Sequence, residues 1–302
     1  MDLKLVHEAA MAYANDANAA DRARLEFFEG LFAIQQEQAD LVAAECGYEA
    51  PAAEDAGAWY WGGEAALVHA PISIDAASFS GFAAKVAAYM AEHAGFAEQA
   101  AAALAAYDWE AFCQKADLSL AGRDPMAFLE DFLVRIDEFD VPAELPANVA
   151  ALVVRAALRP YLQVAQEAVM AALGDEVNRR AGDAPVACPV CGTPAGASIV
   201  HDGGAQGASA REQFCSSCGC QWPYERIRCG VCGQKNQGHL HYFHIEGDSA
   251  HRLQKCDDCG QYERVVFQSD IKTAPCMDVE DVVMARLDHV ALDPRFRVEK
   301  EA

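Results

Sequence analysis

The sequence predicts an all-α N-terminal domain, two tandem small-β modules that each close on four cysteines, and a final helix. Three observations carry this. Residues 1–184 are alanine-rich with helically spaced large apolar side chains. Past that point alanine thins out while Cys, Gly, His and aromatics rise. Four Cys-x-x-Cys pairs then follow, at Cys188/Cys191, Cys215/Cys218, Cys229/Cys232 and Cys256/Cys259.

In the first half, "DRARLEFFEGLFAIQQEQADLVAAE" places Leu25, Phe28, Leu31, Phe32 and Leu41 near 3.6-residue spacing. "SFSGFAAKVAAYMAEHAGFAEQAAAALAAYDWEAFCQKA" reads as two helices broken near Gly95. "DPMAFLEDFLVRIDEF" begins with Asp124 as N-cap and Pro125 at the first helical position. The stretch from Pro146 to Gly174 is a long helical pattern with an expected kink at Pro160. Residues 47–75, with "WYWGG" inside them, are Pro/Gly-rich and read as a loop whose aromatics anchor a partner or pack on the bundle. In the second half "HLHYFHI" and "QYERVVF" are strand-like, and "DVEDVVMARLDHVAL" is an amphipathic helix. The expected divisions are 1–184, a first cysteine module at 185–223, a second at 224–270, and a helix and tail at 271–302.

Composition narrows the classes. The formal net charge is −23. Residues 1–182 hold 29 acids against 11 Lys and Arg, a net of −18, and residues 183–302 hold 17 against 12, a net of −5. Such a surface repels nucleic acid and anionic membranes, and "RIR" is too short to form a basic stripe. No apolar run reaches the roughly 18 residues that a membrane span needs. The start, "MDLKLVHEAAMAYAN", has no basic segment leading into an apolar one, so a cytoplasmic location is expected.

Nine of the twelve cysteines lie between 188 and 259. In a cytoplasmic chain such pairs read as metal ligands rather than as disulfides. Cys191 and Cys215 are separated by 23 residues, and so are Cys232 and Cys256. A shift of 41 superposes every cysteine of the first two pairs on the last two, with Gly192 on Gly233, Gly219 on Gly260 and Arg211 on Arg252. An internal repeat implies one structural unit per copy. The spacing therefore predicts one metal on Cys188, Cys191, Cys215 and Cys218, and a second on Cys229, Cys232, Cys256 and Cys259. Joining the two inner pairs to each other is the rival arrangement, which the matched gaps disfavour. A closed tetrathiolate shell has no open position, so it fits a structural or electron-transfer site, with iron or zinc. "CPVCG" resembles a rubredoxin knuckle, making the modules rubredoxin-like or zinc-ribbon in type.

Other candidates have simpler readings. His239, His241 and His244 read as polar strand positions rather than a third metal site. Cys220 is a bystander unless Arg226 or Arg228 activates it. Cys46, Cys113 and Cys276 read as buried small hydrophobes. "GGAQGAS" lacks the GK[ST] of a phosphate loop and reads as a flexible turn. No Glu has His three residues on, as a di-iron bundle would need, and no nucleophile triad pattern occurs.

The pattern resembles one family. "CPVCGTPAGASIV", "AREQFCSSCGCQW", "RIRCGVCG" and "KCDDCGQY", with Pro194, Arg211, Trp222, Arg226 and Arg228, are similar to formate dehydrogenase accessory proteins of the FdhE type. "LEFFEGLFAIQQEQA" resembles a helical segment of that family more loosely. The resemblance implies a non-enzymatic cytoplasmic maturation factor that binds the catalytic subunit of a respiratory formate dehydrogenase before export. It also implies that the eight paired cysteines hold two rubredoxin-like centres. An electron carrier serving a metalloenzyme partner is the alternative expectation.

Overall fold

The computed structural model describes residues 1–45, 47–178, 181–201, 210–271 and 273–292. Cys46 and the "GGAQGAS" stretch lie outside the described residues. The chain divides into two compact units that do not follow sequence order. One comprises residue 1, residues 27–174 and residues 189–193, and the other comprises residues 2–26, 175–188 and 194–302.

Eleven α-helices occur among the described residues: α1 (Leu3–Ala14), α2 (Ala19–Glu45), α3 (Ala53–Gly62), α4 (Ala66–His69), α5 (Ala76–His93), α6 (Glu98–Ala106), α7 (Trp109–Lys115), α8 (Leu118–Arg123), α9 (Pro125–Val134), α10 (Ala147–Leu173) and α11 (Met277–Ala291). None is long and apolar enough to cross a membrane. Aspartates start many of them. Asp2, Asp75, Asp108, Asp117 and Asp124 each accept backbone N–H groups of the following turn. Part of the acidic excess is therefore capping chemistry, which satisfies orphan amides and complements the helix dipole. Asp124 caps α9 with Pro125 just inside, as its sequence predicts.

The first unit packs α5 against α6, α7 and α10. Its centre is aromatic: Phe112 meets Phe79, Phe128, Phe132 and Phe139 at centroid distances of 6.4, 6.5, 5.3 and 5.1 Å. The helix α10 runs through Pro160. Residues 47–75 are not the loop their composition predicts, because α3 and α4 lie within them. Glu54 and Asp55 occupy the first turn of α3, and Gly63 ends it in the left-handed conformation at φ 74°. The glycines that read as loop residues include a helix stop. Trp59 stacks on His69 at 4.7 Å, and Tyr60 is buried.

In the second unit a six-stranded sheet has the order β3-β2-β1-β6-β5-β4. Its strands are β1 (Ala197–Val200), β2 (Arg211–Phe214), β3 (Gln221–Tyr224), β4 (Leu240–His244), β5 (His251–Cys256) and β6 (Tyr262–Phe267). Strands β1 to β3 form one antiparallel meander and β4 to β6 another. The 41-residue shift carries β2 onto β5 and β3 onto β6. The repeats join head to tail, with β1 pairing parallel to β6 in the register Ser198↔Val265 and Ile199↔Val266. Pro223 sits in the edge strand β3, where a missing N–H costs least. One face of the sheet is closed by α11, whose Met277, Met284 and Leu287 pack with Ala197, Ile199, Phe214, Leu253 and Val266.

Candidate metal centres

The structure brings the cysteines together in the sequential grouping. Cys188, Cys191, Cys215 and Cys218 form one group and Cys229, Cys232, Cys256 and Cys259 another, with all sulfurs of a group within 4.8 Å of one another. Each group arises from two knuckles. Within three of them a left-handed glycine reverses the chain: Gly219 N–H bonds the Cys215 carbonyl, Gly233 the Cys229 carbonyl, and Gly260 the Cys256 carbonyl. With Gly192, these glycines have φ of 76°, 79°, 76° and 70°, a conformation closed to most side chains. The reversal aims amides at sulfur, so that Val231 and Cys232 N–H point to Cys229 Sγ at 3.4 and 3.5 Å.

The donor sets fit a tetrahedral ion. A metal–sulfur bond of about 2.3 Å in tetrahedral geometry places sulfurs about 3.8 Å apart. Across the knuckles Cys188 and Cys218 lie 3.5 Å apart, Cys229 and Cys259 3.9 Å, and Cys232 and Cys256 3.8 Å. Four thiols so close do not all ionise unaided. Burial resists ionisation of Cys256, but the amides of Cys259 and Asp258 outweigh it and bring the thiol down to about 7. Burial and the neighbouring sulfurs push Cys259 up to about 12. A cation resolves that conflict by stabilising four thiolates at once.

The groups differ in cover. All four cysteines of the first are buried, whereas Cys232 of the second is exposed and Cys259 half-buried. The tip of the first knuckle is pinned in the helical unit, where Ala66 and Leu67 N–H donate to the carbonyls of Pro189 and Val190 at 2.9 and 3.0 Å.

The residues around the clusters hold them in place. Arg211 is buried and forms an ion pair with Glu263, which also accepts the Gly230 amide inside the third knuckle. Arg211 further donates to the carbonyl of Arg228 at 3.0 Å. Trp222 is buried and its indole N–H donates to the Pro185 carbonyl at 2.9 Å. Arg228 donates to the Ala184 carbonyl at 2.7 Å and lies over Tyr224. Cys220 is buried, with its thiol 3.8 Å from the Gln221 carbonyl, so it faces no solvent. Cys276 is also buried, and burial pushes its thiol up to about 11. His239, just before β4, and His241, within it, pair with Asp258 and Asp257 at 2.7 and 2.8 Å, and His244 faces the Ile245 carbonyl. No third metal-ligand group forms among the described residues.

One cluster escapes sequence reasoning. Glu280 of α11 and His251 of β5 are buried and lie 2.8 Å apart. Tyr13 of α1 donates to Glu280 at 2.9 Å, and Asp248 bonds the other His251 nitrogen at 2.9 Å and pairs with Arg286. Burial alone would push the His251 imidazole down, but the Asp248 and Glu280 hydrogen bonds prevail and raise it to about 9. Its members are spread over the whole chain in types common on surfaces, so no local pattern marks them.

Two groups of four cysteines, each able to hold a metal ion, are the candidate site of this chain. Residues 187–226 match the family model for the FdhE central domain, from just before the first knuckle to the connector past the second. A curated relative from Cronobacter sakazakii, "Protein FdhE homolog", is 35% identical over 99 residues, which is 32% of this chain and 31% of the relative. "Protein FdhE" of Escherichia coli O1:K1 is 37% identical over 82 residues, 27% of this chain and 25% of that protein. The matched stretches thus span less than a third of these relatives. The crystal structure of the FdhE protein from Pseudomonas aeruginosa shares the fold, with a TM-score of 0.55 over 96% of this chain and 91% of that one, at 20% identity. The similarity therefore marks an FdhE central domain at residues 187–226, within a fold shared with that crystal structure.

Proposed function

We propose that this protein is a cytoplasmic maturation factor that binds the catalytic subunit of a respiratory formate dehydrogenase before export. In this reading it is not itself an enzyme. Each cysteine tetrad holds one iron or zinc ion through its four named thiolates. The observation that carries the reading is the FdhE central-domain match over residues 187–226, which spans one tetrad and the connector to the next. A closed shell suits this role, because it leaves no coordination position for a substrate.

The test is co-purification, without oxygen, of the full chain with a formate dehydrogenase catalytic subunit. A stable complex is expected, together with two metal ions per chain. Absence of a complex with a folded, metal-filled chain would sink the partner assignment. Zinc-filled protein has no visible absorption, whereas iron in these shells gives a rubredoxin-like spectrum.

A further inference from the structure

We infer that the two centres divide their labour: the first is a permanent staple, and the second is the one at which metal is loaded and exchanged. This rests on the metal-binding reading above. Replacing a metal held by four thiolates requires an incoming ligand to reach the ion before a sulfur leaves, so access to the ion sets the rate. The structure grants that access at one centre.

The first centre offers no approach through its ligands. Cys188, Cys191, Cys215 and Cys218 are 1%, 2%, 0% and 0% exposed, and the intervening Pro189 and Val190 are buried as well. The second centre is open along one side. Cys232 is exposed, Cys259 is half-buried, and Val231, Asp257 and Asp258 are exposed between the ligands.

At equivalent positions of the repeat the two centres also differ in their side chains. Asp257 and Asp258 stand where the first copy has Ser216 and Ser217. His239 and His241 stand where it has Ser198 and Val200, both buried. The fourth knuckle thus carries two carboxylates between its cysteines, paired with the half-buried His239 and the exposed His241. These are oxygen and nitrogen donors of the kind that hold a divalent ion loosely. They give the open side a chemistry suited to an arriving or departing metal, which the first centre lacks.

The test uses the full chain, filled with zinc without oxygen and mixed with excess EDTA and a colorimetric zinc indicator. Two phases of one equivalent each are expected, the faster by at least about tenfold, as the tetrads differ in access. In Cys232→Ser the fast phase should vanish and the slow one persist. Iodoacetamide added during release, with mapping of the labelled peptides, identifies the centre without relying on that variant. Cys229, Cys232, Cys256 and Cys259 should be alkylated before Cys188, Cys191, Cys215 and Cys218. A single phase releasing both equivalents, or earlier labelling of the first tetrad, would overturn the inference and leave the maturation role standing. A chain that takes up no zinc would overturn the inference and the metal reading together.

Discussion

The two repeats share cysteine spacing, knuckle backbone and a three-stranded meander, and they differ at equivalent positions of the sheet. Arg211 is buried against Glu263, while its counterpart Arg252 lies half-exposed over Phe267 and beside Asp270. Trp222 is buried in β3, and Glu263 takes its place in β6. Buried Ser198 and Val200 of β1 correspond to the half-buried His239 and the exposed His241. The head-to-tail join explains much of this. Strand β1 is interior, between β2 and β6, whereas its counterpart β4 is an edge. One backbone unit used twice meets two environments, and the side chains follow the environment.

The largest effect expected separates the two tetrads. Structural zinc contributes about 10–16 kcal/mol of apparent folding free energy in small zinc modules. Cys215→Ser removes a buried ligand and should abolish cooperative melting of the sheet, while far-ultraviolet circular dichroism of the helices persists. Cys232→Ser, at an exposed corner of its shell, should leave a folded chain with one metal. Equal collapse of both variants would break the comparison.

Next in size is the arginine pair. Arg211→Met leaves Glu263 buried without its partner, and breaking such a pair costs about 3–5 kcal/mol. Arg252→Ala removes a partly exposed pair worth about 0–1 kcal/mol. Denaturant titration of both variants measures the gap, and similar losses would show that the buried Arg211–Glu263 pair contributes no more than the exposed one.

What the sequence discloses follows from how local each signal is. The tetrads are legible because Cys-x-x-Cys-Gly encodes a knuckle within five residues, and the repeat supplies the pairing. Asp124–Pro125 discloses the start of α9 in the same way. Residues 53–69 mislead because Gly62 and Gly63 carry loop composition while ending a helix. The grouping of residues 2–26 with the sheet has no local sign, since Tyr13 meets Glu280 across 267 residues. Glu263 is likewise invisible until β6 lies beside β1 and the third knuckle is formed.

The Tyr13–His251–Glu280 cluster gives the second repeat a pH dependence at a position where the first repeat has Ala210. The imidazole is raised from an ordinary 6.5 to about 9, so the folded state binds its proton more tightly than the unfolded chain. The resulting stability is fully present below about pH 6.5 and is lost as pH rises through about 9, on the order of 3 kcal/mol. Melting temperature should fall over that window, and Glu280→Gln should flatten the fall. An unchanged slope in the variant would leave Asp248 as the sole partner that matters.

The smallest effect comes from the glycines that follow the knuckles. Any alanine at φ near +70° costs about 1–2 kcal/mol in backbone strain alone. At Gly260 that is the whole cost, since an added Cβ meets nothing within 4 Å. At Gly192 the Cβ would also lie 3.3 Å from the Ala65 Cβ, against a segment pinned by the Ala66 and Leu67 amides. Gly192→Ala should therefore lower the melting temperature more than Gly260→Ala, with each kcal/mol worth roughly 2–4 °C in a chain of this size class. The reverse order would mean that the first knuckle yields where its burial implies it is fixed, and the contrast between a clamped centre and an open one would lose its mechanical basis.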